Sequence, residues 1–264
     1  MLPDFEMIVH SFPKADTLTI VPVADIHLGA IEHNGRSWDN FCREIREQPN
    51  TYIMLVGDLV NNSIRTSVAN PFDEVMRPRE QKKVMVEYLK PLKDKILCSV
   101  SGNHERRTTK DTDMDITYDI MSKLDLEHLY RENMAFVKIG LGKRKTENCP
   151  ESCFMFAVTH GAGGGIFTGA SVNRNERFGN IIDGVDCMVS GHTHKGSVTR
   201  PSKIVVDVRN EKISVRPYTV VTAESWLHYG GYAAQKMLLP HETANPQKIM
   251  IGGDRNNKKL EVRW

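Results

Sequence analysis

Between Leu18 and His194 the chain carries five apolar runs of strand length, and metal-ligating residue types follow directly on each. The runs are Leu18–Ala24, Tyr52–Val56, Ile96–Val100, Phe154–Val158 and Cys187–Val189, mostly rich in β-branched residues. Short runs of this kind, bounded by turn residues, read as buried strands. They lead into Asp25-Ile26-His27, Gly57-Asp58, Gly102-Asn103-His104-Glu105, Thr159-His160-Gly161 and Gly191-His192-Thr193-His194. In open α/β sheets, sites form beyond the carboxyl ends of the strands, so residues distant in sequence can meet on one rim. This pattern limits the fold more tightly than any bulk property of the chain.

The stretches between the early runs read as helices. Ser37 is placed to cap a helix on which Trp38, Phe41 and Ile45 share a face, with Pro49 just beyond. Pro78 suits a first turn, Val84, Tyr88 and Leu92 follow at helical spacing, and Pro91 disturbs the end. Ile116, Ile120, Met121 and Leu124 mark a third helix, and Ala170 to Ile182 a weaker fourth. After His194 the character changes. Lys203–Val208 and Lys212–Thr222 alternate as strands around Arg209, Asn210 and Glu211, and Gln247–Ile251 and Lys259–Val262 form a second pair. Strands alternating with helices and then strands alone predict an α/β fold: a layered β-sandwich of mixed sheets flanked by helices. With 264 residues and no Pro-, Gly- or Ser-rich linker, one domain over residues 1–264 is the simpler organisation. Residues 1–195 would bear the motifs, and 196–264 would complete the sandwich with strands.

Several classes are disfavoured. No apolar run approaches the roughly 20 residues that span a bilayer, and Met1 to Phe12 lacks a basic start followed by an apolar core. Five scattered cysteines (Cys42, Cys98, Cys149, Cys153 and Cys187) do not form a disulfide framework, so free thiols and a cytoplasmic location are expected. The formal charge of +2 neither requires nor excludes a nucleic-acid partner.

In extended backbone, residues i and i+2 point the same way, so Asp25 with His27, and His192 with His194, can address one centre; where the chain bends, a pair can divide between two adjacent centres. Gly57, Gly102, Gly161 and Gly191 sit beside ligand types, where backbone must turn sharply or pass close to the site. Carboxylate, imidazole and amide oxygen without thiolate suit divalent Mn, Fe, Zn or Ni and argue against a structural zinc site. A lone histidine at a strand end is ordinarily a surface or hydrogen-bonded residue, and Asp58 or Asn103 alone is ordinarily a turn former. That bland reading has to hold at every position at once, which makes the ordered set far more specific than any member. His10, His128, His228 and His241 lack this context, and His33 lies near enough to the first motif to reach the rim.

This ordered set, Asp-x-His, Gly-Asp, Gly-Asn-His-Glu, His and Gly-His-x-His, resembles the calcineurin-like metallophosphoesterase superfamily over about two-thirds of the chain. The resemblance implies a dinuclear centre. Asp25, His27 and His194 would hold one metal, Asn103, His160 and His192 the other, and Asp58 would bridge both. Manganese is the first expectation for the two divalent ions. His104 would face the substrate as general acid or electrostatic stabiliser, with Asp58 the other residue essential to catalysis. The implied reaction is phosphoester hydrolysis by metal-activated water.

Some relatives continue the second motif with Val-Asp-Arg-Gly, whose arginine grips a phosphomonoester. Here Leu59, Val60, Asn61, Asn62 and Ser63 follow Asp58, and the nearest arginine is Arg65. A phosphodiesterase acting on nucleotides or nucleic acid is therefore expected over a phosphomonoesterase or small-nucleotide phosphatase. A binding module without catalysis ranks last, because no ligand type is missing. Arg106 and Arg107 are candidate phosphate contacts. Lys143-Arg144-Lys145, Arg174, Arg177 and Lys195 are candidates for a basic track along DNA or RNA. Gly163-Gly164-Gly165 can bring backbone N–H groups near a phosphate, and the long connection from Asn61 to Glu80 can shape specificity. Sequence alone leaves the oligomeric state open.

Overall fold

The computed structural model describes residues 3–67, 71–142, 152–254 and 257–264. The Lys143-Arg144-Lys145 run and Cys149 lie outside the described residues. The strands are β1 (Ile8–Phe12), β2 (Thr17–Val23), β3 (Thr51–Leu55), β4 (Ile96–Val100), β5 (Tyr130–Arg131), β6 (Met134–Leu141), β7 (Ser152–Thr159), β8 (Cys187–Ser190), β9 (Ser197–Thr199), β10 (Ser202–Asp207), β11 (Lys212–Pro217), β12 (Thr219–Thr222), β13 (Lys248–Asp254) and β14 (Asn257–Arg263). The helices are α1 (Gly35–Glu47), α2 (Pro78–Leu89), α3 (Glu105–Thr112), α4 (Ile116–Lys123), α5 (Thr168–Ile181) and α6 (Gly231–Gln235).

Two six-stranded sheets form the sandwich, in the orders β1-β6-β7-β8-β12-β9 and β14-β13-β2-β3-β4-β5. β2, β3 and β4 run parallel in one sheet, and β7, β8 and β12 run parallel in the other. Antiparallel β6, β9, β13 and β14 make both sheets mixed. Val21, Ile53, Leu55 and Val100 of one sheet share a single buried core with Val137, Phe154, Phe156 and Val189 of the other. Burying such a side chain fully is worth about 1.5–3 kcal/mol. This core therefore holds the two sets of parallel strand ends in a fixed relation.

The helices cover the sandwich largely as their apolar spacing requires. Trp38, Phe41 and Ile45 of α1 are buried, with Trp38 and Phe41 packed on the Trp226 ring at 5.1 and 4.8 Å. The N-cap of α1 is Asn34, not Ser37: its side-chain oxygen accepts the Ser37 N–H at 3.1 Å, so Ser37 lies inside the first turn. Pro78 opens α2, and Lys90–Lys95 form a 3₁₀ turn containing Pro91 that ends the helical stretch. The expected strand Lys212–Thr222 is two strands, because the chain leaves β11 at Pro217 and enters the main sheet as β12. β10 and β11 pair only with each other. The sequence reading missed β1, β6 and α3. Alternating burial in β6 is clear once its partners are known, whereas α3, Glu-Arg-Arg-Thr-Thr-Lys-Asp-Thr, has no apolar stripe to reveal it.

Candidate metal centre

All five motifs leave their strands on the same rim, and the first, second and fifth leave through left-handed residues. Asp25, His27, Asp58, His192 and His194 have φ of 53°, 47°, 52°, 70° and 57°. Both pairs sit in the left-handed region and not in extended backbone, and the bent His192/His194 pair divides between two sets of ligand atoms, the outcome expected where the chain bends. Backbone bonds hold these turns in place. The Asp25 N–H donates to the Gly57 carbonyl and the His27 N–H to the Asp58 carbonyl, each at 3.0 Å. The His192 N–H donates to Asp25 Oδ2 at 2.8 Å. Gly57 and Gly102 are required by close approach. A Cβ on Gly57 would lie 2.6 Å from the Gly102 nitrogen, and one on Gly102 would lie 2.1 Å from Asp58 Oδ1.

Two sets of ligand atoms with no residue in common result, Asp25, His27 and His194 in one and Asp58, His160 and His192 in the other, and a third set, His27, Asp58 and His104, joins them. His27 Nε2 lies 3.2 Å from His194 Nε2 and 3.8 Å from Asp58 Oδ2, so Asp58 faces both sets. In the second set, His160 Nε2 lies 3.2 Å from Asp58 Oδ2 and 3.0 Å from Asn103 Oδ1. His192 Nδ1 lies 2.6 Å from that same amide oxygen. The structure thus brings together all seven residues proposed from sequence as ligands.

The donor inventory indicates what such a cluster would hold. His160 Nδ1 faces the Val56 carbonyl at 2.8 Å and must donate to it. A neutral His160 then presents a bare Nε2 to Asp58 and Asn103 oxygens, so acceptors face acceptors. Asp25 Oδ1 is buried, and His194 Nε2 lies 3.3 Å from it. Such an arrangement calls for positive charge at its centre, and N/O donors in this number suit divalent cations. Without metal, protons partly fill that role. Burial opposes charge on Asp25 and Asp58, but the surrounding imidazoles outweigh it and hold both carboxyls well below the usual carboxylate range. Burial also opposes protonation of His160, yet Asp58 lifts it to about 10, and Asp25 likewise raises His194. Burial and the His160 charge lower His192.

His104 stands beside this cluster, 3.9 Å from Asp58 Oδ2, with its backbone N–H donated to Asp58 Oδ1 at 2.8 Å. Its Nδ1 donates to the Asn61 carbonyl at 2.7 Å, and its Nε2 accepts from Arg107 Nη2 at 2.9 Å. Burial brings its pKa down to about 3 despite the attraction of Asp58. His104 is thus a neutral ring that steadies the Arg107 guanidinium.

Supporting residues that sequence reasoning left without a role are now visible. Glu105 is fully buried and accepts the Asp58 and Gly102 N–H groups, both at 3.0 Å, and the Val60 N–H at 3.1 Å. Burial and the Asp58 charge push its carboxyl up to about 7, against these donors. Asn61 Oδ1 lies 3.2 Å from His27 Nδ1, and the Asn62 amide donates to the His104 carbonyl at 2.7 Å. The Asn-Asn pair where relatives carry an arginine is therefore built into the support of the ligands. Trp226 donates its N–H to the Asp25 carbonyl at 3.0 Å. His33 sits behind the rim, donating from Nδ1 to the Ile26 carbonyl at 2.9 Å.

The basic candidates divide. Arg107 is at the site. Arg106 turns away, donating to the carbonyls of Ser101 and Glu132 at 3.1 and 2.8 Å. Arg174 donates to the Ala162 carbonyl at 2.7 Å, and Lys195 to the carbonyls of Gly165 and Ile166, so both brace the glycine run. Arg177 is exposed. Cys42, Cys98 and Cys187 are free thiols. Among the described residues no helix is long and apolar enough to cross a membrane.

Among solved structures, the chain is similar to a conserved uncharacterized protein, a predicted phosphoesterase, from Streptococcus pneumoniae TIGR4. The identity is 11%, 93% of this chain and 88% of that chain are covered, and the TM-score is 0.37. It is also similar to a metallophosphoesterase from Sphaerobacter thermophilus, with 14% identity, 94% and 89% coverage and a TM-score of 0.39. No curated protein matches the sequence. The family model described as calcineurin-like phosphoesterase matches residues 18–196. That span is more than half of the chain and contains every motif named above, so the chain belongs to the calcineurin-like phosphoesterase family and is a phosphoric ester hydrolase.

Proposed function

We propose that the chain is a dinuclear phosphodiesterase acting on nucleotides or nucleic acid, with residues 1–264 working as one domain. Asp25, His27 and His194 hold one divalent ion. Asn103, His160 and His192 hold the second, Asp58 serves both, and manganese is the first choice of metal. The observation that carries this reading is the pair of ligand sets meeting at Asp58, which lies 3.2 Å from His160 and 3.8 Å from His27. When bound, two such ions supply Lewis acidity toward the phosphoryl oxygens and an acidified water for attack.

The chain's own contribution is orientation and charge. Asn61, Glu105 and the Val56 carbonyl fix the ligands' positions before substrate arrives. His104 and Arg107 lie beside the Asp58 carboxylate and act as a unit. Arg107 supplies positive charge toward the ester oxygens and His104 fixes the guanidinium; with its Nδ1–H on the Asn61 carbonyl, His104 exchanges the leaving-group proton through Nε2 once Arg107 turns to the substrate. The preference for a diester follows from the cation count. A phosphomonoester dianion favours a dedicated arginine clamp. Here Arg107 is the guanidinium bonded to the candidate site, whereas Arg106 is bonded to main-chain carbonyls behind it.

Purified protein reconstituted with manganese should be assayed on an aryl phosphomonoester, a bis-aryl phosphodiester, cyclic nucleotides, and single- and double-stranded DNA and RNA. We expect two metals per chain by elemental analysis and a higher kcat/KM on the bis-aryl diester than on the monoester. A preference for the monoester overturns the diester assignment, and inactivity on the whole panel overturns the catalytic one. If a polymer is the substrate, kcat/KM on single-stranded DNA falls steeply with salt, while the model diester changes much less.

A further inference from the structure

The ribbon formed by β10 and β11 is amphipathic with its faces reversed. Registry pairs Ile204 with Val215 and Val206 with Ile213, so these four side chains share one face. They are 75%, 68%, 61% and 76% exposed, and Val208, just past the end of β10, is 83% exposed. The opposite face carries Lys203, Asp207, Lys212, Ser214 and Arg216, and is polar but for the half-buried Val205. That polar face is the one turned to the body of the molecule. Lys203 donates to the Ile182 carbonyl and lies over the Tyr218 ring at 5.2 Å. Arg216 reaches the Gly184 carbonyl at 3.5 Å and Asp186 at 3.8 Å. An isolated two-stranded ribbon is marginal in water, and one that presents its apolar face to solvent is more so.

We propose that this face is the contact surface of a two-fold dimer of the chain. The area is sufficient. With a fully exposed Ile or Val taken as roughly 170–200 Å², the five residues present about 650 Å², and two copies about 1,300 Å², within the standard range for a stable interface. A single apolar patch of that size is at or above the largest on a typical monomer, about 300–600 Å².

The pattern is also self-complementary. A dyad running along the strands between two facing ribbons sets β10 of one copy over β11 of the other. Ile204 of each copy then covers Val215 of its partner, and Ile213 covers Val206. Large residues meet small ones at all four positions, as close packing of two layers requires. The chain enters the ribbon from β9 and leaves it into β12, and the apolar face lies on the side away from these body contacts.

Sedimentation velocity of the full chain, from about 1 to 50 µM, tests this directly. Wild type is expected to sediment at twice one chain's mass. I204E/I213E, which alters only exposed side chains, should sediment as a monomer with unchanged phosphodiester hydrolysis. If circular dichroism shows that variant unfolded, V206T/V215T takes its place. It preserves β-branching and ribbon geometry, and should raise the dimer dissociation constant at least about tenfold by placing hydroxyls in the packed layer. A monomeric wild type, or a dimer indifferent to both substitutions, overturns the proposal. So does a monomer that floats with phosphatidylglycerol vesicles through this face, which would make a lipid surface the occupant.

Discussion

Glu105→Gln isolates the contribution of the second-motif brace, because the side-chain shape is kept and only the acceptor set changes. In the wild type one carboxylate oxygen accepts the Asp58 and Gly102 N–H groups and the other accepts Val60 N–H, all fully buried. A glutamine can keep its oxygen on the side with two donors. Its NH₂ then faces the Val60 N–H, so one bond is lost and two donors meet. A buried hydrogen bond to a charged group is worth about 1.5–3 kcal/mol. The exchange also removes the burial penalty and the Asp58 repulsion that push the carboxyl up to about 7, which offset part of the lost bonding, so the expected net loss is about 1–2 kcal/mol. For a chain of this size that corresponds to roughly 2–4 °C in Tm. The measurement is urea unfolding and calorimetry of chelator-treated protein at pH 8, where the carboxyl is ionised, with metal content after reconstitution as a second readout. Metal content should fall as well, since Asp58 loses its backbone anchor. A variant within about 0.5 kcal/mol of wild type and retaining both metals would refute the claim that Glu105 positions Asp58.

Three further outcomes are expected. Gly102→Ala drives a methyl to within 2.1 Å of Asp58 Oδ1; it should destabilise by about 1–3 kcal/mol and reduce kcat roughly 100-fold in a diester assay. His104→Gln should keep its metals and lose about 100- to 10,000-fold in rate, whereas His192→Gln should lose metal by elemental analysis; loss of metal from His104→Gln would assign it as a ligand instead. His10 donates to the Leu97 carbonyl, and burial depresses its pKa below 6.5 despite that bond, with His128 depressing it further, so the folded state favours the neutral ring. Its contribution is complete above pH 6.5 and is lost as pH falls below 6.5 toward the folded value, so His10→Gln should lose less stability than wild type in urea melts between pH 7 and pH 5.

How far the sequence carried depended on whether a residue's role was local. The buried strands β2, β3, β4, β7 and β8 are legible because each is a short apolar run stopped by a ligand type. Their convergence is legible because ligand types recur after every stop. The roles of Glu105, Asn61 and Asn62 are not. Each reaches across the fold, Glu105 to Asp58 and Asn62 to His104, and nothing in the local pattern of a buried carboxylate tells which N–H groups it will meet. The same holds for the basic residues. Arg106 and Arg107 are neighbours in sequence, yet successive positions on α3 point apart by roughly 100°, which puts one on the site and the other on the Ser101 and Glu132 carbonyls. The reversed ribbon shows the limit most clearly. Alternation in β10 and β11 revealed the strands, but it did not reveal which face turned to the body.

The left-handed turns also set how strain and function are related here. Placing a non-glycine residue at such φ costs about 1–2 kcal/mol, and five of the seven proposed ligands are in that region. The surrounding bonds must over-determine these conformations for the fold to retain them. His194, at φ 57°, allows the strain to be measured, since its imidazole can be removed with or without relieving it. His194→Ala and His194→Gly both delete the ligand, and only glycine adopts the turn freely. At an ordinary position Gly is less stable than Ala by roughly 0.5–1 kcal/mol, because the unfolded chain gains freedom. Here the relief of about 1–2 kcal/mol should reverse that order. Metal-free His194→Gly is therefore expected to be more stable than His194→Ala by about 0.5–1 kcal/mol in urea unfolding. Added manganese should stabilise both variants less than wild type, because the Asp25, His27 and His194 set loses a ligand while the Asp58, His160 and His192 set is kept. If alanine is the more stable of the two, the turn at His194 is not strained. The ligands would then be placed by the sandwich ends without opposing a backbone preference.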